Sequence, residues 1–488
     1  MGSFSGKAIR GIKWTTVSVV SNSVIRLLQV TILTRYLTKA DFGTIAIASL
    51  FIGFTELFLD MGLSAAIIHK QEIPKQHYSS LFWLNILTGF LLLFVLLLCA
   101  PLISGYYSDT SLTPIIQLLS LNVLFSSMGR QHKTQRQKQL DFRFIAITDI
   151  TTAVLTFIVA VVLALKGFGV YSLVWSTVFH VFAPNLIFLV YGLRKDKNIT
   201  FHFSLAETGP YLRIGVFQIG SRFLDYLAKE MDIFIISSTL GRDILGVYSL
   251  CKKIVALLYG IISPVIMNVL TPLFAEIQSS AREVQCKFTR LIEIVSTINY
   301  PLFFLLALLA PGLIRILYGP GYADSYLILS LLAVNYGILS VSGVLTASQV
   351  ALGRTDLGFY WTIFRIISMA VYIYIGSFWS VTGIAAAILA GTVINLIPFW
   401  RIQIKKILNI PLRVFLGDQL VPFFTAGVLY GLLSFFVTKD ISVWVMVLLA
   451  LVFLGVYTAA IKILSPENYA LNMATGFIRK YFKNQNSL

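Results

Sequence analysis

Apolar and polar residues alternate along this chain on the scale of whole helices. Apolar runs of about 20 residues, long enough to cross a bilayer, are separated by short polar segments. The fourteen runs begin near Lys13, Asp41, Ser80, Pro114, Phe144, Gly169, Tyr211, Ile244, Leu291, Ser325, Leu357, Val381, Gln419 and Ile441. Because fourteen is even, both termini should lie on the same side of the membrane. The pattern predicts an all-α integral membrane protein with about 14 transmembrane helices.

The composition agrees with this fold class. Hydrophobic residues make up 57% of the 488 residues and charged residues only 12%, against about 25% charged residues in soluble domains. The first apolar run follows Lys7, Arg10 and Lys13, but it is too long for a signal-peptide core and has no small-residue cleavage site. We therefore expect it to remain as the first helix.

The positive charge of the chain predicts its orientation. The net charge is +17, and most of the 38 lysines and arginines fall in segments on one side of the membrane, such as 130–143 and 401–413. Such a bias marks the cytoplasmic side, so both termini are predicted to be cytoplasmic. Apolar and basic residues interleave in 401–413, which suits a helix lying on the inner surface. No basic face carries stacking aromatic residues, so nucleic acid is not an expected partner.

An internal repeat relates the two halves of the chain. The segment YLTKADFGTI (36–45) matches TLGRDILGVY (239–248). The same offset pairs further residues of similar character: Lys39 with Arg242, Gly43 with Gly246, Asn22 with Asp225, Arg26 with Lys229 and Gln29 with Asp232. Each repeat contains six predicted helices, so the repeats enter the membrane in the same direction. This predicts two parallel six-helix lobes around a central cavity.

The domain boundaries follow from this repeat. We predict an N-terminal six-helix lobe over 1–195 and a polar cytoplasmic linker over 196–210. A C-terminal six-helix lobe should span 211–400. The remaining segment, 401–488, should hold the surface helix, two further helices and a cytoplasmic tail.

Charged residues interrupt the seventh predicted helix at SRFLDYLAKEMD (221–232). At 100° per residue, Arg222, Asp225, Lys229 and Asp232 fall within an arc of about 80°. A charge at the bilayer centre costs at least about 2.5–3.5 kcal/mol, so this stripe must face protein or water. The central cavity is the expected location. An alternative is that Arg222, Asp225 and Lys229 form inert ion pairs along one helix.

The first helix carries a matching polar stripe that includes Asn22, Arg26 and Gln29. Its stripe has no acidic residue, so Arg26 needs a partner from elsewhere: a cavity water, Asp225, Asp232 or a substrate anion. Further basic residues lie in the eighth and eleventh helices, namely Lys252, Lys253 and Arg365. Lys252 and Lys253 are adjacent and cannot both face the cavity, and Lys252 is favoured. Basic groups outnumber acids at this depth, which predicts a positively charged cavity and an anionic substrate.

Two acids and a histidine allow more than one interpretation. Glu56 and Asp60 share a face near the inner end of the second helix, where they either couple transport to an ion or, for Asp60, anchor the helix end. His180 lies in the middle of the sixth helix and is interpreted as a core residue rather than a proton relay. The five histidines and three cysteines show no metal-ligand spacing. We expect no metal, no cofactor and no enzymatic activity.

Several segments resemble a known family. They are RGIKW (10–14), YLTKADFG (36–43), DMGL (60–63), IIHK (67–70), LFWLN (81–85), LGVYSL (245–250), TPLFAEIQ (271–278) and QVALGRTD (349–356). Together they resemble the polysaccharide exporters of the multidrug/oligosaccharidyl-lipid/polysaccharide superfamily, of the colanic acid and teichuronic acid export type. The resemblance implies a monomeric flippase of the bacterial cytoplasmic membrane. It would move undecaprenyl-pyrophosphate-linked oligosaccharide from the inner to the outer leaflet and pass it to a polymerase or other export machinery.

The resemblance also implies roles for cavity residues. In related peptidoglycan-precursor flippases a basic residue of the first helix is essential, and Arg26 matches it. The second helix departs from that pattern because it carries Glu56 and no basic residue. Together with the basic residues found from the stripes and the repeat, this gives the expected pyrophosphate-binding residues Arg26, Lys229, Arg222, Lys252 and Arg365. Asn22, Gln29, Asp225 and Asp232 would supply polar contacts and charge balance.

Two other functions compete with this one. A membrane-embedded polysaccharide polymerase or ligase would handle the same lipid carrier, but it would need a larger outer loop than the segment around 104–113. A cation-coupled small-molecule exporter of the same superfamily would favour twelve helices and an acidic cavity. The sequence favours the flippase.

Overall fold

A computed structural model describes residues 2–60, 63–69, 73–195, 199–438, 441–470 and 472. The predicted cytoplasmic tail therefore lies almost wholly outside the described residues. So do 196–198 of the predicted linker.

Helices make up nearly all of the described structure. The long helices are α1 (Gly2–Leu33), α2 (Lys39–Asp60), α3 (Lys75–Tyr106), α4 (Leu112–Lys138), α5 (Phe142–Leu165), α6 (Val170–Lys195), α7 (Leu205–Thr239), α8 (Arg242–Glu276), α9 (Ala281–Leu308), α10 (Tyr326–Ala351), α11 (Thr355–Ser377), α12 (Val381–Ile394), α13 (Leu412–Ser434) and α14 (Val443–Leu464). Shorter helical segments cover Leu63–His69, Ala310–Tyr318 and Pro320–Ser325.

Each predicted span corresponds, in order, to one of these long helices. Within the described part of the chain, 13 helices are long and apolar enough to cross a membrane. The remaining long helix is α7, which has 35 residues and carries the charged stripe. The prediction of an all-α membrane protein with many spanning helices is confirmed.

The predicted surface helix over 401–413 is corrected by the structure. Helical turns continue from the end of α12 through Leu396–Phe399, Trp400–Ile404 and Lys405–Leu408. They stop at Asn409, whose backbone is left-handed with φ 50°. The side chains of Ile404 and Leu408 are buried in the core. Interleaved apolar and basic residues suit either a surface helix or a packed helix end, and here the apolar side packs against protein.

The chain divides into two compact units, Met1–Ser249 and Leu250–Leu488. The boundary falls inside α8, so the first unit holds α1 to α7 and the first two turns of α8. The lobe boundary expected at the linker lies one helix and two turns earlier, before α7, and stays a prediction. The second unit is built around α9, whose buried Phe288, Tyr300 and Phe303 lie in its core. There the Tyr300 hydroxyl donates to Oε1 of Gln419 at 3.1 Å.

Two glycines allow the N-terminal turns of α2 and α8 to cross closely within the first unit. A Cβ atom on Gly43 would overlap the carbonyl oxygen of Arg242, and a Cβ atom on Gly246 would overlap that of Lys39. The two contacts are equivalent under the predicted repeat, which pairs Gly43 with Gly246 and Lys39 with Arg242. The sequence repeat thus corresponds to a local, approximately twofold backbone contact.

The described part of the linker is fastened to the start of α3. The indole Nε1 of Trp83 donates to the carbonyl of Thr200 at 2.9 Å, and the Ser80 hydroxyl donates to Oε2 of Glu207 at 2.6 Å. His202 Nε2 lies 2.9 Å from Oε1 of the same carboxylate. The hydrogen bonds from Ser80 and His202 hold the pKa of Glu207 below its ordinary value. The linker is therefore positioned by polar contacts at the predicted inner end of α3.

Candidate functional site

Arg26 of α1 contacts α6. Its guanidinium Nη2 lies 2.7 Å from Nε2 of His180. A guanidinium can only donate hydrogen bonds, so Nε2 must be the acceptor and His180 must be neutral. The carboxylate of Asp149 on α5 also attracts Arg26 electrostatically. Arg26 therefore has protein partners that the sequence did not identify.

An ion pair between α4 and α5 involves the same Asp149. Nζ of Lys133 on α4 lies 3.1 Å from both carboxylate oxygens of Asp149. The same ammonium is 5.4 Å from the centre of the Phe188 ring. The sequence placed Lys133 in the cytoplasmic segment 130–143. Instead α4 extends to Lys138, which places Lys133 on a helix and opposite an acid.

An ion pair joins α2 to α7 within the first unit. Nη1 of Arg222 donates to Oδ2 of Asp60 at 2.8 Å, while Oδ1 of Asp60 accepts a hydrogen bond from the Ser64 hydroxyl. Asp60 is buried, with 4% of its surface exposed. Arg130 of α4 adds electrostatic attraction to Asp60. Arg222 thus has an acidic partner on another helix, which neither interpretation of the α7 stripe included.

The α7 stripe divides into exposed and buried parts. Arg222, Asp225 and Lys229 are exposed, and Nζ of Lys229 lies 4.0 Å from Oε1 of Glu230. Asp232 is buried, and its Oδ2 accepts a hydrogen bond from the Tyr248 hydroxyl at 2.6 Å. Asp232 therefore contributes to packing between α7 and α8, whereas the three exposed residues are accessible to a ligand.

The other polar residues of the first unit make short-range contacts. Asn22 donates to the carbonyl of Ser18 on its own helix at 2.8 Å. Gln29 donates to the Ser176 hydroxyl of α6 at 3.3 Å. Glu56 is half-buried, one turn before Asp60, and is attracted by Arg130. Arg26 and Gln29 thus both connect α1 to α6.

The remaining predicted basic residues belong to the second unit. Lys252 is buried, whereas Lys253 is exposed. Arg365 is half-buried on α11. Their role in binding a substrate stays a prediction. In the described part of the chain, no group of three His, Cys, Asp or Glu residues could hold a metal ion.

Because Asp60 is buried, substituting the two members of the Asp60–Arg222 pair should change stability unequally. Arg222→Gln leaves a buried carboxylate without its main countercharge, and we expect this to lower the unfolding free energy by about 3 kcal/mol. Asp60→Asn should cost less, because Arg222 is half-exposed and can be hydrated. The double variant Asp60→Asn with Arg222→Gln should recover most of the loss. Thermal unfolding of the purified protein in detergent measures all three.

A matched control is the exposed pair of Arg354 and Asp356, whose Nε and Oδ1 atoms are 3.2 Å apart. Arg354→Gln should change stability by less than about 0.5 kcal/mol, as usual for an exposed pair. Equal losses for the two single Asp60 and Arg222 variants, without recovery in the double variant, would show that the pair does not couple α2 to α7.

Comparison with known proteins identifies the family. Residues 32–327, more than half of the chain, match the family described as polysaccharide biosynthesis protein. The chain belongs to this polysaccharide biosynthesis family. The match confirms the resemblance to polysaccharide exporters that the sequence motifs indicated.

Named members of the polysaccharide biosynthesis family cover most of the chain. The lipopolysaccharide biosynthesis protein WzxC of Escherichia coli is 26% identical over 419 residues, which are 86% of this chain and 85% of WzxC. The teichuronic acid biosynthesis protein TuaB of Bacillus subtilis is 28% identical over 363 residues, 74% of each chain. The succinoglycan biosynthesis transport protein ExoT of Rhizobium meliloti is 23% identical over 361 residues.

Solved structures share the fold of this family member. The lipid II flippase MurJ, in an inward closed conformation, has a TM-score of 0.73 at 13% identity, with 92% of this chain and 99% of MurJ covered. An inward-facing multidrug resistance MATE transporter of the MOP superfamily has a TM-score of 0.62 at 14% identity, covering 84% and 95% of the two chains. These similarities support the all-α membrane fold predicted from the sequence.

Proposed function

We propose that this protein is a flippase for undecaprenyl-pyrophosphate-linked oligosaccharide. It moves the repeat units of a surface polysaccharide from the inner to the outer leaflet by alternating access of a basic cavity. Support comes from the polysaccharide biosynthesis family match and from relatives whose names describe polysaccharide biosynthesis and transport. Both termini are cytoplasmic in this proposal, the protein acts as a monomer, and it delivers its substrate to a polymerase.

The observation that carries the proposal is the contact of Arg26 with an uncharged partner. Its closest partner, His180, is neutral, so this contact orients the guanidinium without cancelling its charge. A guanidinium held in place presents several donors to phosphate oxygens, and charge-assisted hydrogen bonds of this kind are the stronger ones. Lys229 and Arg222 of α7 are exposed. We assign the pyrophosphate to Arg26, Lys229 and Arg222. The binding role expected of Lys252 and Arg365 stays a prediction from the sequence.

Reconstituted protein tests this function. The purified chain is inserted into vesicles containing a polyprenyl-diphosphate-linked oligosaccharide with a fluorescent sugar, and a membrane-impermeant quencher reports its leaflet. We expect the protein to exchange the labelled lipid between leaflets within minutes, while protein-free vesicles should not. Growth of the oligosaccharide would indicate a polymerase or ligase. Movement of small cationic drugs without movement of the lipid would indicate a cation-coupled exporter. Either result contradicts the proposal.

A further inference from the structure

The structure assigns a second anion-binding position to Lys133 of α4, next to Arg26. We propose that the substrate diphosphate binds there by displacing Asp149, whose carboxylate pairs with the Lys133 ammonium in the structure. The inference rests on the proposed function, because it takes the ligand to be a diphosphate.

Asp149 pairs with one cation and attracts a second. Both of its carboxylate oxygens lie 3.1 Å from Nζ of Lys133, and its charge also attracts Arg26. Lys133 and Arg26 come from different helices, α4 and α1, so the acid marks a place where two positive groups converge. An anion with more negative charge and more oxygen atoms than one carboxylate would interact more strongly with the same pair.

The surroundings of Lys133 permit an exchange of anions. The Lys133 and Asp149 side chains are 35% and 25% exposed, so a ligand can reach the ammonium and the displaced carboxylate can be hydrated. Phe188 lies beneath the ammonium at 5.4 Å and helps to hold it without adding a negative charge. Neutral His180 likewise leaves the positive charge of the group uncancelled.

The adjacent turn of α4 extends the basic surface. Arg130 lies three residues before Lys133 on the helix, a spacing that places both on one side. Its charge attracts Glu56 and Asp60 of α2. The same helix face therefore holds two basic residues, each opposite acidic groups of a neighbouring helix. In this arrangement acids of the protein compensate the basic residues until the substrate diphosphate arrives.

Opposite effects of two substitutions test the exchange. We expect Lys133→Gln to weaken binding of farnesyl diphosphate about tenfold and Asp149→Asn to strengthen it about tenfold. Lys133→Arg, which keeps the charge, should bind within about threefold of the unsubstituted protein. Titration calorimetry on the full chain in nanodiscs of zwitterionic phosphatidylcholine measures the affinities. If Lys133 and Asp149 had only a structural role, the two substitutions would not change the affinity in opposite directions.

A matched pair controls for changes of net charge. Glu283 and Lys287 form an ion pair of the same chemistry at 3.3 Å in the second unit, and Lys287→Gln and Glu283→Gln should leave the affinity unchanged. Inorganic pyrophosphate in place of farnesyl diphosphate separates the sources of the ligand. If the substitutions change the affinity for both probes equally, the position binds the diphosphate itself. If they change only the affinity for farnesyl diphosphate, the position binds the diphosphate only as the headgroup of a lipid.

The outcomes distinguish this inference from the proposed function. Binding that is lost in Arg26→Gln but unchanged in Lys133→Gln and Asp149→Asn would overturn the second position and leave the flippase intact. Shifts in the same direction for both variants would also overturn it. Absence of diphosphate binding by the unsubstituted protein would overturn both proposals.

Discussion

Replacing Arg26 with Gln should reduce export of the polysaccharide at least about a hundredfold while the protein still inserts into the membrane. One charge pair at 4 Å contributes about 4 kcal/mol at an effective dielectric constant of 20, before desolvation is deducted. A loss of about 2.8 kcal/mol corresponds to a factor of about one hundred. Gln is polar and uncharged, so the variant removes the charge without placing an apolar side chain at this position. Polymer at the cell surface, normalised to the amount of membrane protein, measures the effect.

Lys229→Gln should cause a comparable loss, because the repeat places Lys229 at the position equivalent to Arg26. Arg10→Gln is the matched control, since Arg10 is an exposed basic residue on the same helix and is not assigned to the substrate. Full polymer production by both the Arg26 and the Lys229 variants would refute their assignment to the pyrophosphate. Loss of export in the Arg10 variant as well would point to failed insertion.

The fold could be predicted from the sequence because membrane spans are recognised by features that are read along the chain. A membrane span must be about 20 residues of mostly apolar character, and length and hydropathy can be counted without knowing what a helix contacts. The same is true of the repeat, since Gly43 and Gly246 occupy equivalent places in two similar segments. Their mutual contact in the structure gives that similarity a physical basis.

The ion pairs of the site could not be predicted in this way. Spacing within one helix suggested Asp225 as a partner for Arg222, yet Arg222 pairs with Asp60 on another helix. Which acid a long arginine side chain reaches depends on how neighbouring helices are rotated. The contact of Arg26 with His180 was missed for the same reason. Hydropathy gives the depth of a residue in the membrane but not the direction in which its side chain points.

The ends of helices were also difficult to predict from the sequence. The basic residues after Gly129 resemble a cytoplasmic loop, but α4 continues through them to Lys138. The basic residues after Trp400 resemble a surface helix, although they continue α12. In both places polar residues mark the end of the apolar span and not the end of the helix. Lys133, proposed above to bind an anion, was therefore assigned to topology alone.

Substituting Gly43 or Gly246 with Ala should reduce transport about tenfold or more and lower the stability of the protein. The added Cβ would overlap a backbone carbonyl oxygen of the opposite helix in each case. A backbone atom cannot turn aside as a side chain can, so the two helix ends must separate, and overpacking of this kind costs about 1–3 kcal/mol. Separation should also strain the nearby ion pair between Arg242 and Asp109. Vesicle transport and thermal unfolding measure the two effects.

The double variant Gly43→Ala with Gly246→Ala tests whether the two positions form one contact. Once the first methyl group has separated the helix ends, the second meets little further overlap, so the combined loss of stability should be smaller than the sum of the single losses. Gly105→Ala is the control, because a Cβ at this helical glycine would meet nothing within 4 Å, and it should be neutral. Additive losses, or single variants that behave like Gly105→Ala, would show that the repeated glycines do not hold α2 against α8.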